Sequence, residues 1–330
     1  MQHRPKKILL TFDIEGWPPV EDNFDDASAI CLCTILNLLE REDFQGIFFV
    51  TGSIAEQLHQ YPDILDKLSD HKIGYHSSAH NAQPGIIAIT DVPSYEKAVA
   101  LSLERETSHI NLVNGKIEGK GGLLALKETF PSNNIECFRA PFFGWSPPHL
   151  EALRELGIKY DFSTHISNHP VLFKEIVFYP IPVPIDTVEF TLVQRIGNSV
   201  SFKTLTSIML HRRLTILSLH PSALLVKHCF DNTRRSPRGK TMIKFTVCML
   251  KLLFRRIHFL QRHNLVKVTA SLGGDFETLD ARDLNVRQIY QRSIQTPVQL
   301  FSHNPKYVLS HFMYFFNSDK INSIVPSASL

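Results

Sequence analysis

The chain has 330 residues, 43% of them hydrophobic, which is enough to bury a large core and excludes a fibrous, collagen-like or disordered protein. Lys and Arg number 35 against 32 Asp and Glu, and a net charge of +3 gives no reason to expect a nucleic-acid partner. The cysteines (Cys31, Cys33, Cys137, Cys229 and Cys248) are odd in number and include no CxxC pair, which argues against a disulfide framework or a cysteine-held zinc and for buried free thiols.

The first strand-like run, 7–13, follows a short basic stretch. Its apolar part is too short for a signal peptide or a membrane span, so the sequence reads as cytoplasmic. Runs of strand length recur at 46–52, 72–78, 136–141, 159–163, 177–183, 215–221 and 267–271. Helical spacing fills the gaps at 27–42, at 53–70 with a restart at Pro62, at 94–113 with Ser94 as N-cap, and at 146–156. Alternation of this kind predicts a parallel α/β sheet, and eight strands suit a single (β/α) barrel over residues 1–272. Segment 240–264 reads as the barrel helix before the last strand. Its apolar face is interrupted by Lys244, Lys251, Arg255, Arg256 and Arg262, and the alternative is a helix in peripheral contact with a membrane surface. Residues 273–330 are expected to be a helical extension, with a break at Pro305 and no visible chemistry.

Four strand ends carry chemistry. Asp13 and Glu15 sit two residues apart, a spacing that turns both carboxylates to one side of a continuing strand, although an exposed acidic strand end would show the same pattern. His76 and His80 stand four apart and can share a metal ion on a helix or tight turn. Arg139, in the fourth run, can pair with a carboxylate, and the following Phe142, Phe143 and Trp145 offer faces on which a sugar ring stacks, or else pack a loop against the sheet. His220 closes the apolar run at 215–219, where an imidazole can serve as an acid near neutral pH or simply lie satisfied in the core.

In order and in local sequence, Thr11-Phe12-Asp13, His76 to His80, Arg139-Ala140-Pro141 and Leu217-Ser218-Leu219-His220 resemble the motifs of the polysaccharide deacetylase family, the NodB homology domain. The resemblance spans about residues 7–271 and implies a distorted (β/α) barrel of the polysaccharide deacetylase type. It also implies that Asp13 is the general base, that Arg139 orients it, that His220 is the general acid, and that His76 and His80 bind a divalent metal, zinc being best suited to such ligands. The family often has a second acid adjacent to the first, where this chain has Ile14. Glu15 is then the candidate third ligand. Asp161 is a candidate to orient His220 or Arg139, with strand capping as the equal alternative.

The reaction implied is hydrolysis of an N-acyl group, acetyl in the first instance, from an aminosugar. The basic stretch 231–240 after the His220 strand suggests a lipid- or nucleotide-linked precursor in surface-glycan synthesis, a solvated loop being the plainer reading. Two alternatives use the same residues: a catalytically silent glycan-binding relative, and a metal-independent amidohydrolase on the same barrel.

Overall fold

The computed structural model describes residues 5–15, 23–78, 92, 94–110, 117–141, 147–163, 169–180, 182–185, 202–224, 239–273 and 276–278. In chain order these form β1 (Lys6–Ile14), α1 (Asp26–Arg41), β2 (Ile47–Val50), α2 (Gly52–Leu58), α3 (Pro62–Ser69), β3 (Lys72–Tyr75), α4 (Tyr95–Thr107), β4 (Ser108–Ile110), β5 (Ile117–Lys120) and α5 (Gly122–Thr129). There follow β6 (Cys137–Phe138), α6 (Pro147–Glu155), β7 (Tyr160–Asp161), β8 (Val171–Phe173), β9 (Ile176–Phe178), β10 (Val183–Pro184), α7 (Phe202–His211), β11 (Leu214–Leu219), α8 (Gly239–Arg262), β12 (Val266–Val268) and β13 (Glu277–Thr278).

The helices begin where local chemistry supplies a partner for otherwise orphaned amides. Asp25 accepts from the Ser28 amide at 2.9 Å, Thr51 from Ile54 at 3.3 Å and Ser94 from Lys97 at 3.2 Å. Pro62 opens α3, where its missing N–H is no loss. In α1, Leu32, Ile35, Leu36 and Leu39 recur at helical spacing and are all buried, which fixes the helix against the sheet.

One sheet organises the molecule, in the order β10-β11-β1-β2-β3-β6-β7-β9-β8-β13. Its pairs are parallel except β8 with β9. β1 is central: β11 runs along one edge from Lys7 to Phe12, while the other edge meets β12 at Lys6–Ile8 and β2 at Thr11–Ile14. Among the described residues this path is open from β10 to β13, and the expected distorted (β/α) barrel takes the form of a mixed α/β half-barrel.

The period of two in β1 and β2 divides two apolar layers. Ile8, Leu10, Phe12 and Ile14, with Phe48 and Val50, belong to the larger layer that receives the helices. Leu9, Ile47 and Phe49 belong to a smaller one with Cys137, Phe162, Val177, Tyr179 and Ile216. Both faces of these strands are buried, and the alternation places Thr11 and Asp13 on the same face as Leu9.

Several expectations change. The helix expected over 94–113 stops at Thr107, and Ser108–Ile110 pairs antiparallel with β5 instead. The single run at 177–183 is two strands, because Pro180 and Pro182 lack the amide needed to continue a ladder. α5, α7, β8 and β13 were not anticipated, and β13 joins the sheet beyond residue 272. Burial pushes the Cys31 and Cys137 thiols up to about 12 and leaves them inert, whereas Cys248 is exposed rather than buried. Cys229, the stretch 231–238 and residues 279–330, which include nearly all of the expected extension, lie outside the described residues.

Candidate active site

Because the strands are parallel, their carboxyl ends gather at one edge of the sheet, and the candidate residues lie at those ends. Asp13 is the penultimate residue of β1, and Glu15 directly follows that strand. His76, Arg139 and His220 lie just beyond β3, β6 and β11, and Asp161 ends β7.

The site is built on the smaller apolar layer. Phe49 and Phe162 form its upper surface, and the Arg139 guanidinium lies 4.3 Å from the centre of the Phe49 ring and 5.8 Å from that of Phe162. Arg139 is fully buried. It donates from Nη1 to Asp13 Oδ1 at 2.6 Å and from Nη2 to Thr11 Oγ1 at 2.9 Å, while the Thr11 hydroxyl donates to the Leu217 carbonyl at 2.8 Å. Burial pulls the guanidinium's pKa down, and the charge of Asp13 together with its hydrogen bond opposes that pull. The pair is therefore mutually dependent, since either charge alone would be stranded away from water.

Glu15 and His76 face each other. His76 Nδ1 lies 2.7 Å from the Arg139 carbonyl, which can only accept, so in a neutral ring Nδ1 holds the proton. That leaves the lone pair of Nε2 directed toward Glu15, whose Oε2 is 3.5 Å away. His220 completes the group: its Nε2 is 3.7 Å from Asp13 Oδ2 and 3.7 Å from Glu15 Oε1. Both distances are too long for hydrogen bonds but within ion-pair reach. With its side chain 28% exposed against 4% for both carboxylates, His220 marks the side open to solvent. Burial of Asp13 and Glu15 excludes the reading of an exposed acidic strand end.

A backbone turn presents His76. Ser77 takes a φ of +68°, uncommon for a residue with a side chain, and the carbonyls of Ser77 and Ser78 accept from the Gly52 and Ser53 amides at the start of α2, each at 3.0 Å. Glycine permits this approach at two positions. A Cβ on Gly52 would lie 2.2 Å from the Gly122 Cα, and one on Gly122 would lie 2.4 Å from the Ser78 Cα.

Among the described residues Asp161 bonds to Ser163 rather than to His220. Its carboxylate accepts from the Ser163 amide at 2.9 Å and the Ser163 hydroxyl at 3.1 Å, and Ser163 Oγ accepts from the Ala140 amide at 2.7 Å. It therefore fixes the chain just after Arg139 and adds a favourable charge toward the guanidinium. Burial raises the Asp161 carboxyl to about 6, against the pull of its two Ser163 hydrogen bonds.

His80, Phe142, Phe143 and Trp145 lie outside the described residues. Sequence reasoning also missed a buried polar cluster behind the site. Glu106 on α4 accepts from the Tyr75 hydroxyl and lies 2.6 Å from His149 Nε2 on α6, and the Tyr75 hydroxyl is 3.2 Å from Ser78 Oγ, which accepts from the Gly122 amide at 3.1 Å. Burial, then Glu106, raises the Tyr75 pKa well above its ordinary value. No local motif announces these residues, because Tyr75, Glu106 and His149 come from three separate elements.

The donor chemistry fits a small divalent cation in part. Glu15 and the Nε2 lone pair of His76 converge, with the Nδ1 bond to the Arg139 carbonyl holding the ring in the ligating tautomer. Among the described residues no group of three or more His, Cys, Asp or Glu is arranged to hold a metal.

Residues 1–160 match the family model described as polysaccharide deacetylase. Among solved structures, the chain is similar to a protein from Mycobacterium smegmatis ascribed to the polysaccharide deacetylases, at 15% identity with 84% of this chain and 97% of that one covered and a TM-score of 0.45. A CE4 esterase from Streptococcus mutans shares 15% identity over 84% of this chain and 88% of its own, with a TM-score of 0.40. A CE4 family pseudoenzyme from Bacillus anthracis shares 13% identity over 84% and 68%, with a TM-score of 0.39. No curated protein sequence matches the chain.

Proposed function

We propose, on the premise that residues 1–160 belong to the polysaccharide deacetylase family, that the chain hydrolyses an N-acetyl group from an aminosugar at the cluster of Asp13, Glu15, His76, Arg139 and His220. The observation that carries this reading is the 2.6 Å bond from Arg139 to Asp13, which gives a buried carboxylate a cationic partner and leaves its other oxygen 3.7 Å from an imidazole. That pairing sets a base beside an acid, as hydrolysis of an unactivated amide requires.

Asp13 takes the proton of the attacking water. Arg139 occupies one of its oxygens, so Oδ2, on the His220 side, is the one placed to act. His220, the more exposed member, delivers a proton to the departing amine nitrogen. An amine leaving group needs that acid more than an alcohol does, which favours an amide over an ester substrate.

Glu15 and His76, with His80 as the further donor, would hold a divalent metal, zinc being the best match to such ligands. When bound, the metal supplies a Lewis acid that polarises the acyl carbonyl and acidifies a coordinated water. Phe142, Phe143 and Trp145 would form the sugar-stacking wall, and the basic residues of 231–240 favour a lipid- or nucleotide-linked sugar phosphate.

The test is acetate release by the full chain from N-acetylglucosamine oligomers and from their phosphate-linked counterparts. Asp13→Asn should lower the rate by about 10²–10⁴-fold with the protein still folded. Unchanged release would remove Asp13 from the mechanism, and equal rates on the two substrates would remove the phosphate-linked preference.

A further inference from the structure

α8 carries an exposed stripe unrelated to the candidate site. Cys248, Leu252, Arg255, Phe259 and Arg262 are exposed and follow one another at three- and four-residue steps, so they share one side of the helix, with the exposed Lys251 beside them. The other side, with Leu250, Leu253, Phe254, Ile257 and Leu260, is buried in the core. On the outer side Leu252 is 43% and Phe259 49% exposed, two turns apart with Arg255 between them, and the Arg256 guanidinium lies 5.1 Å from the centre of the Phe259 ring.

Charge decides what such a face fits. α8 contains Lys240, Lys244, Lys251, Arg255, Arg256 and Arg262 and no Asp or Glu. Glu42 meets the helix at its flank, where it pairs with His258 at 3.2 Å and with Arg41. A second copy of the chain would set this cationic stripe against itself. The chain's own residues 284–318 contain no Asp or Glu to offer it. A face that is both apolar and uniformly cationic matches an anionic lipid surface, where bases meet headgroups and large apolar side chains enter the acyl boundary. No described helix is long and apolar enough to cross a membrane, so the contact would be peripheral.

We propose that this face of α8 docks on an anionic bilayer surface, with Leu252 and Phe259 inserted and Lys251, Arg255, Arg256 and Arg262 against the headgroups.

The experiment is co-sedimentation of the full chain with vesicles of phosphatidylcholine alone or mixed with phosphatidylserine, with circular dichroism to confirm that each variant is folded. The expected result is binding to the mixed vesicles that weakens with salt and falls about fivefold for each arginine removed in Arg255→Ser and Arg256→Ser. Leu252→Ser with Phe259→Ser should weaken it by about tenfold or more. Absence of binding, equal binding to neutral vesicles, or folded variants that bind like the parent would overturn the proposal. So would self-association without vesicles that the Leu252 and Phe259 substitutions abolish, which would assign the face to a second copy. None of these residues belongs to the candidate site, so acetate release measured without vesicles is a separate outcome.

Discussion

At the scale of single residues, Arg139 bears most of the site's organisation. It is a cation without solvent, stacked on Phe49, and it commits both terminal nitrogens, one to Asp13 and one to Thr11. A lysine keeps the charge but cannot span both partners or stack in the same way, so Arg139→Lys should lose about 1.5–3 kcal/mol through its missing bonds. Arg139→Met strands Asp13 and should lose about 3–5 kcal/mol. Urea unfolding of both variants checks the order, and a methionine variant as stable as the lysine one would show that Asp13 does not depend on this charge. Asp161 gives a pH signature of opposite character. Its folded pKa is raised to about 6, so the folded state holds a proton that the unfolded state has released, and this group's contribution to stability falls as pH rises through the interval up to about 6. Asp161→Asn removes that slope while leaving an acceptor for Ser163. The melting temperature of the variant minus that of the parent should therefore climb between about pH 4 and pH 6 and level off above. A difference that is flat across that interval would mean Asp161 is not protonated in the folded state.

At the scale of elements, the turn bearing His76 depends on how closely α2, α5 and the chain after β3 can approach. Gly122→Ala would put a methyl 2.4 Å from the backbone of Ser78, and neither α5 nor the turn can yield cheaply while the Ser77 and Ser78 carbonyls are bonded to α2. An overpacking penalty of about 1–3 kcal/mol is expected, together with weaker metal binding as His76 shifts. Chemical denaturation and metal titration read the two effects separately, and a variant with parental values in both would show that the contact is not tight in solution. The elements themselves were largely readable in advance. β1, β2, β3 and β11 appear where apolar runs end in Asp13, Thr51, His76 and His220, because strands buried on both faces leave continuous hydrophobic stretches. α5 and α7 were not, since GLLALKET is too short to show a helical period and Phe202–His211 is only ten residues long. Asp13, Glu15, His76, Arg139 and His220 were legible because each closes a strand. Tyr75, Glu106 and His149 were not, because their association is purely tertiary and joins one strand to two helices.

At the scale of the whole molecule, parallel strands bring residues 13 and 220 to neighbouring positions, since β11 lies beside β1 in register from Lys7↔Leu214 to Phe12↔Leu219. The same sheet holds β3 two strands from β1, so that the His76 ring reaches Glu15 across β2. The candidate donors Glu15 and His76 thus come from elements that are apart in sequence and are assembled only by folding. An ion that binds them stabilises the folded chain and not the unfolded one, by about 2.7 kcal/mol at a free concentration near 100 Kd. Zinc should therefore raise the melting temperature of the parent and a chelator should reverse the rise. Glu15→Ala and His76→Ala should each lose most of the shift, while Asp13→Asn should keep more of it if Asp13 acts as a base rather than as a ligand. This readout needs no substrate and no turnover. Equal shifts in the parent and in both alanine variants would place the ion elsewhere on the protein and would leave the Asp13–His220 pair to account for hydrolysis unaided.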